Sequence, residues 1–258
     1  MRIGPIYLFF PKKTLHGTVR LTKYLINDRI SVANRLASWR TVEKIASGIK
    51  CIASDFDFTL SHFRTPLAVG FFNIFRKRGM SDEDIWKMRE EAEARRGFSL
   101  NTFIDIARES KGLVFEDKAE IQAEFNVWIE SVVLYPDSAP FLKKWFGSIP
   151  IAIVTAGDQK YQSKKVALVG IKYNELHVVT PPRKKWQVLD ELLSRYGSPL
   201  LFLEDKADEL DQAWHLFGPE NVVTVLVLRE DSPHNGMAHN FHHIKIRSLE
   251  EVNRLITG

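Results

Sequence analysis

The chain has 258 residues, of which 45% are hydrophobic, 26% charged and 11% aromatic. That is a globular composition with material for a sizeable core, and it excludes collagen-like, disordered and coiled-coil chains. No stretch reaches the roughly 18 apolar residues of a spanning helix, so no transmembrane segment is expected. The one cysteine, Cys51, allows neither an intrachain disulfide nor a thiolate zinc site, which fits a reducing, cytoplasmic compartment.

The net charge of +4 is unevenly spread. Residues 1–50 carry ten Lys or Arg against only Asp28 and Glu43, a local +8. The other 208 residues hold 26 basic and 30 acidic side chains, a net of −4. The basic character belongs to the leading segment, so no nucleic-acid site is indicated for the body. Residues 1–48 read as a basic extension. Its first 29 residues have no sustained period, and a helical stripe (Val32, Leu36, Trp39, Val42, Ile45, Ala46) runs from Ile30 to Ser47. Its Arg-rich, acid-poor make-up also suits an organelle transit peptide, although Pro11 and the stripe suit an added packed element equally.

Residues 49–55 (IKCIASD) read as a buried strand. From 67 to 132 the signals are helical: an apolar run from Leu67 to Phe75, Ser81 with Asp84 opening a charged helix to Arg96, a further start at Ser99, and helical spacing from Phe115 to Val132. The rhythm then changes to strands at 149–157, 176–180, 199–205, 221–230 and 242–246. Between and after them lie helices at 159–168, 185–196, 207–217 and 248–256. Alternation of this kind predicts an α/β fold with a parallel, doubly wound sheet.

Three of these strands end in polar groups: Asp55-Phe56-Asp57-Phe58-Thr59, Thr155-Ala156-Gly157, and Glu204-Asp205-Lys206-Ala207-Asp208. Ligands of open parallel sheets bind beyond the carboxyl ends of the strands. Carboxylates clustered there without Cys or His suit a hard cation such as Mg2+.

These motifs resemble those of the haloacid dehalogenase (HAD) superfamily. DFDFT (55–59) is similar to its first motif, IVTAG (153–157) to its second, the lysine region PRKKWQVLDEL (182–192) to its third and LFLEDKAD (201–208) to its fourth, in the family's order. The resemblance covers residues 49–258. It implies a Rossmann-like core of residues 49–66 and 133–258 with an inserted α-helical cap at 67–132, and a Mg2+-dependent phosphatase acting on a small phosphorylated substrate through an aspartyl-phosphate. The alternatives are a phosphotransferase or phosphomutase of the same superfamily, or a catalytically quiet binding protein.

By that resemblance Asp55 is the nucleophile and Asp57 the general acid/base, an acid that the family's dehalogenases lack. Thr155 with the backbone amides of Ala156 and Gly157 binds phosphate, as does Lys185. The metal falls to Asp55, Asp57 (through its carbonyl), Asp205 and Asp208. Lys184 competes with Lys185, and Glu209 with Asp208; Lys164 and Lys165 rank lower. Glu204 and Phe58 both stand where glycine is common. Arg76, Lys77, Arg78, Arg95 and Arg96 suit either anion recognition or a solvated face. His234, His239, His242 and His243 read as loop residues rather than ligands. Substrate identity and oligomeric state are not written in the sequence.

Overall fold

In a computed structural model, residues 48–236 and 238–257 are described, and all fall in one compact unit. The extension read at 1–48, with its helical stripe, lies outside the described residues except for Gly48. The core is a six-stranded parallel sheet in the order β5-β4-β1-β6-β7-β8. Its strands are β1 (Cys51–Ser54), β4 (Ile151–Ala156), β5 (Glu175–Val179), β6 (Leu200–Glu204), β7 (Val222–Val227) and β8 (Ile244–Ile246). Strands β1, β6 and β7 are continuous buried runs, as expected where both faces are covered. Alternate residues feed opposite faces. Ile52, Ile151, Leu201 and Val223 join one apolar cluster, and Cys51, Ala53, Ala152, Leu200 and Val222 the other.

Helices α5 (Ser138–Trp145), α6 (Gln159–Val169) and α9 (Leu249–Thr257) pack on the first face; α7 (Lys185–Tyr196) and α8 (Ala207–Phe217) pack on the second. From β1 the chain steps outward through β4 and β5, then crosses back to β6 and steps outward on the other side. The order therefore reverses around β1, and a crevice opens at the carboxyl ends of β4, β1 and β6.

Between β2 (Ser61–Phe63) and β3 (Val132–Leu134) the chain forms four helices: α1 (Phe71–Arg76), α2 (Asp82–Arg96), α3 (Leu100–Lys111) and α4 (Lys118–Glu130). Ser81 caps α2 by accepting the Asp84 N–H, and Ser99 caps α3 through the Thr102 N–H, as their positions predict. The interior of this layer is aromatic. Phe71 meets Phe75, Phe98 and Phe103 edge-on, each at 5.2 Å, with Trp128 at 5.6 Å. Trp128 is held from two sides, stacking on Phe63 at 4.2 Å and donating Nε1–H to the Thr65 carbonyl at 3.1 Å. Gly70 lies flat against it; a Cβ there would stand 2.0 Å from Trp128 Cδ1.

Two elements had no expectation. Strand β2 pairs antiparallel with β3 (Ser61↔Leu134, Phe63↔Val132), so both passages between the sheet and the helical layer run side by side. Helix α5 buries Phe141, Leu142 and Trp145. Among the described residues, no helix is long and apolar enough to cross a membrane.

Candidate active site

Asp55 follows β1 directly, its N–H donating to the Leu203 carbonyl at 2.8 Å, so the backbone of β6 fixes where its side chain begins. The chain then folds into a tight loop. Leu60 and Ser61 both donate backbone N–H to the Phe56 carbonyl, and Phe58 takes a left-handed φ of +57°. For a phenylalanine that conformation costs about 1–2 kcal/mol. It lines the cavity beside Phe63 and Leu67.

Lys185, the first residue of α7, reaches Asp55 Oδ1 at 2.6 Å and Glu204 Oε2 at 2.5 Å, and all three side chains are buried. Leu189, one turn on, packs into the sheet-facing cluster as its spacing predicts. Lys184 is exposed, leaving Lys185 as the lysine at the carboxylates. Glu204 Oε1 accepts the N–H groups of Asp205 (3.2 Å) and Lys206 (3.1 Å), and Ser232 Oγ donates to Asp205 Oδ2 at 2.7 Å.

One carboxylate oxygen each from Asp55, Glu204 and Asp205 lies within 4.8 Å of the others. Burial pushes all three carboxyls up; repulsion from Asp55 adds to it at Glu204 and Asp205, and at Asp55 repulsion from Asp57 adds while Lys185 opposes; Asp205 reaches about 7. Burial opposes the Lys185 charge, but Asp55 and Glu204 outweigh it and hold that ammonium well above its usual range. A single ammonium among three carboxylates leaves negative charge in excess. All-oxygen donors of this kind fit a hard divalent cation.

This set corrects the sequence expectation at Asp208, which is exposed on α8, away from the three converging carboxylates. Glu204, read from sequence as one of the strand-end acids and as a replacement for glycine, is the third carboxylate of the group. Glu209, the other alternative, is half-buried and outside the cluster as well. The reason is direction: Glu204 ends a strand whose every residue is buried, whereas Asp208 starts the outer face of a helix. Among the described residues no other group of three or more His, Cys, Asp and Glu converges in this way. Two of the late histidines are engaged otherwise. His243 is sandwiched between Thr224 Oγ1 and Asp211 Oδ1 at 2.9 Å each, and His239 Nδ1 faces the Phe241 carbonyl at 2.7 Å.

Thr155 and Ala156 line the same cavity from the end of β4, with the Thr155 side chain buried. Gly157 is a second correction. Its N–H already donates to the Val179 carbonyl at 3.0 Å, so that amide is committed to the sheet rather than free for an anion.

Lys165, ranked below Lys185 for the lysine at Asp55, has a different place. It is buried at 5% exposure, with Nζ 2.5 Å from Asp57 Oδ2, and Gln162 Nε2 donates to the same oxygen at 3.0 Å. Lys164 turns away to Glu130 at 2.8 Å. The sequence did hold a signal. Gln162, Lys165, Val166 and Val169 follow the i, i+3, i+4, i+7 rule, a polar pair embedded in the core-facing stripe of α6.

The cavity encloses about 90 Å³ over Asp55, Asp57, Thr155 and Lys185, roofed by Phe98, Trp128 and Tyr161. Beside it lies a cleft of about 500 Å³. Arg89 and Glu93 of α2 and Lys206 and His234 of the core line both spaces. Lys206 Nζ meets Glu93 Oε1 at 2.5 Å, joining the helical layer to the sheet layer. Burial opposes the Glu93 charge, but Lys206 and Arg89 override it and bring this carboxyl down to about 2. Burial, with those same cations, takes His234 down to about 4, leaving it neutral at pH 7. Of the basic residues that suit either anion recognition or a solvated face, four are paired with acids: Arg76 with Asp82, Arg78 with Asp117, Lys77 with Glu124, and Arg95 with Glu91 and Glu109. The Arg96 side chain is outside the described set.

No protein-family model and no curated relative matches the sequence. Solved structures do. A haloacid dehalogenase-like hydrolase from Xanthomonas campestris is 14% identical, over 80% of this chain and 91% of that one, with a TM-score of 0.59. An L-2-haloacid dehalogenase is 16% identical, over 80% and 98%, at 0.57. A predicted phosphoglycolate phosphatase from Haemophilus somnus is 15% identical, over 80% and 97%, at 0.55. The chain therefore has the fold of the haloacid dehalogenase superfamily, a Rossmann-like α/β core with a helical cap. The neighbours span two chemistries on that fold, carbon–halogen and phosphate-ester hydrolysis.

Proposed function

We propose that the chain is a Mg2+-dependent phosphatase that hydrolyses a small phosphomonoester through an aspartyl-phosphate on Asp55, with residues 67–132 as its cap domain and 1–48 as an extension outside it. One observation carries this reading: Asp55 and Asp57 open into one enclosed cavity, beside a three-carboxylate cluster suited to a cation. Asp55, Glu204 and Asp205 would hold Mg2+, together with the Asp57 backbone carbonyl. Bound there, the ion supplies neutralisation of the negative charge on the transferring phosphoryl group.

The remaining chemistry belongs to the chain. The Asp55 carboxylate forms an O–P bond as the ester O–P bond breaks, and Asp57 gives its proton to the departing oxygen. In the second half Asp57 takes a proton from water, whose oxygen bonds to phosphorus as the Asp55–phosphorus bond breaks. Lys185 orients Asp55, while the Thr155 hydroxyl and the Ala156 N–H are the donors for phosphoryl oxygens. The aromatic roof keeps other water out.

Asp57 favours phosphate over halide substrates. A departing halide is stable unprotonated, whereas an alkoxide is not, so a second acid serves only the latter. Asp55→Asn is expected to abolish Mg2+-dependent hydrolysis of an aryl phosphate with the fold intact by circular dichroism. Retained turnover would overturn the mechanism, and an isomerised sugar phosphate among the products would favour phosphotransfer.

A further inference from the structure

Asp57 sits in a loop after β1, where nothing in its own segment fixes its carboxylate. Two side chains from α6 do so. Lys165 Nζ (2.5 Å) and Gln162 Nε2 (3.0 Å) both donate to Oδ2, while Oδ1 is enclosed and has no partner. Gln162 is itself tied down, since Nε2 also donates to the Ala156 carbonyl at 2.7 Å. That approach depends on Gly157. Its φ is +139°, and a Cβ there would stand 2.9 Å from Gln162 Nε2. The Lys165 ammonium lies near the Phe56 and Phe63 rings, 6.0 and 5.4 Å from their centroids. Helix α6 is in turn pinned to the cap, where Tyr161 meets the Phe125 ring edge-on at 4.9 Å.

A buried ion pair stabilises a fold little compared with apolar side chains of the same volume. Its distinctive effect here is directional, because both donors take one oxygen and leave the other.

We propose that Lys165 and Gln162 are positioning residues that clamp Asp57 through Oδ2 and so fix where its carboxylate stands toward the leaving oxygen and then toward water. The clamp's role in turnover rests on the phosphatase reading above; its geometry does not. It links three segments that must agree in one step: the Asp57 loop, the Ala156–Gly157 turn and the base of the cap.

The test compares wild type, Lys165→Met and Lys165→Arg on two esters with Mg2+: an aryl phosphate, whose phenolate leaves unaided, and an alkyl phosphate, whose alkoxide needs a proton. For each, kcat/KM reports steps up to release of the alcohol. Lys165→Met is expected to lower kcat/KM for the alkyl ester about 10–100-fold more than for the aryl ester, with the loss in kcat rather than KM. Lys165→Arg is expected to recover most of it. Equal losses on both esters, or none, would overturn the clamp, since general damage does not sort esters by leaving group.

If wild type hydrolyses neither ester, the phosphatase reading fails and the clamp is judged by crystallography of Lys165→Met combined with Gln162→Leu. The clamp predicts that the Asp57 side chain leaves its position, and an unmoved Asp57 refutes it. Should Lys165→Met fail to fold, Gln162→Leu alone is judged by the same ester ratio.

Discussion

Asp205→Asn offers a test of the carboxylate cluster in which metal offsets the effect of the substitution. Asp205 is 4% exposed and titrates near 7, against 3.8 when unperturbed. The folded chain therefore keeps this proton where the unfolded chain has lost it. The stability from Asp205 is complete below pH 3.8 and is lost as pH rises towards 7. At about 1.4 kcal/mol per unit the loss reaches about 4 kcal/mol by pH 7.5. An asparagine cannot ionise and can still accept the Ser232 hydroxyl.

Urea unfolding in a chelator, repeated between pH 4.5 and 7.5, should show the two proteins similar at the acid end and the variant the more stable at the alkaline end. With millimolar Mg2+ at pH 7.5 the gap should narrow. The wild type gains about 2.7 kcal/mol when the ion is at 100 times its Kd, and the variant, short of one ligand, gains less. Parallel curves in chelator would refute the claim that the folded cluster holds Asp205 protonated. Failure of Mg2+ to narrow the gap would refute the cation site.

Gly70→Ala is expected to cost about 2–4 kcal/mol by urea denaturation, because the new methyl overlaps Trp128 and forces it from both Phe63 and the Thr65 carbonyl. A loss below about 0.5 kcal/mol would mean that Trp128 has room to move. Glu93→Gln removes the charge that meets Lys206 across the cap–core boundary, at a cost of about 1–2 kcal/mol. Amide exchange in α2 should quicken in this variant, and 1 M NaCl should narrow its difference from wild type; unchanged exchange would mean that other contacts hold the cap.

Much of the core was legible because its signals are local. Helices α7 and α8 begin and end where the sequence predicts, at Lys185 to Tyr196 and Ala207 to Phe217. Three residues are too few to show a period, so β2 passed unnoticed at Ser61–Phe63; only its pairing with β3 makes it a strand. The site divides in the same way. Asp55, Asp57, Thr155, Lys185 and Asp205 sit at ends of elements that sequence can place. The choice of Glu204 over Asp208 depends on which way two neighbouring carboxylates face. The burial of Lys165 depends on an acid 108 positions earlier, a distance over which a linear pattern says nothing.

The position of β1 bears on how the chain becomes folded. It is the first strand of the sheet to be made and one of its central ones, yet Ile52 waits for Ile151 on one side, and Cys51 for Leu200 on the other. Pairings this distant in sequence form slowly. During synthesis the apolar run at Cys51–Ala53 emerges well before either partner, while the four cap helices, whose contacts are mostly local, can already assemble between β2 and β3. The insertion that roofs the cavity thus also sets the delay during which the centre of the sheet stands unprotected against wrong partners.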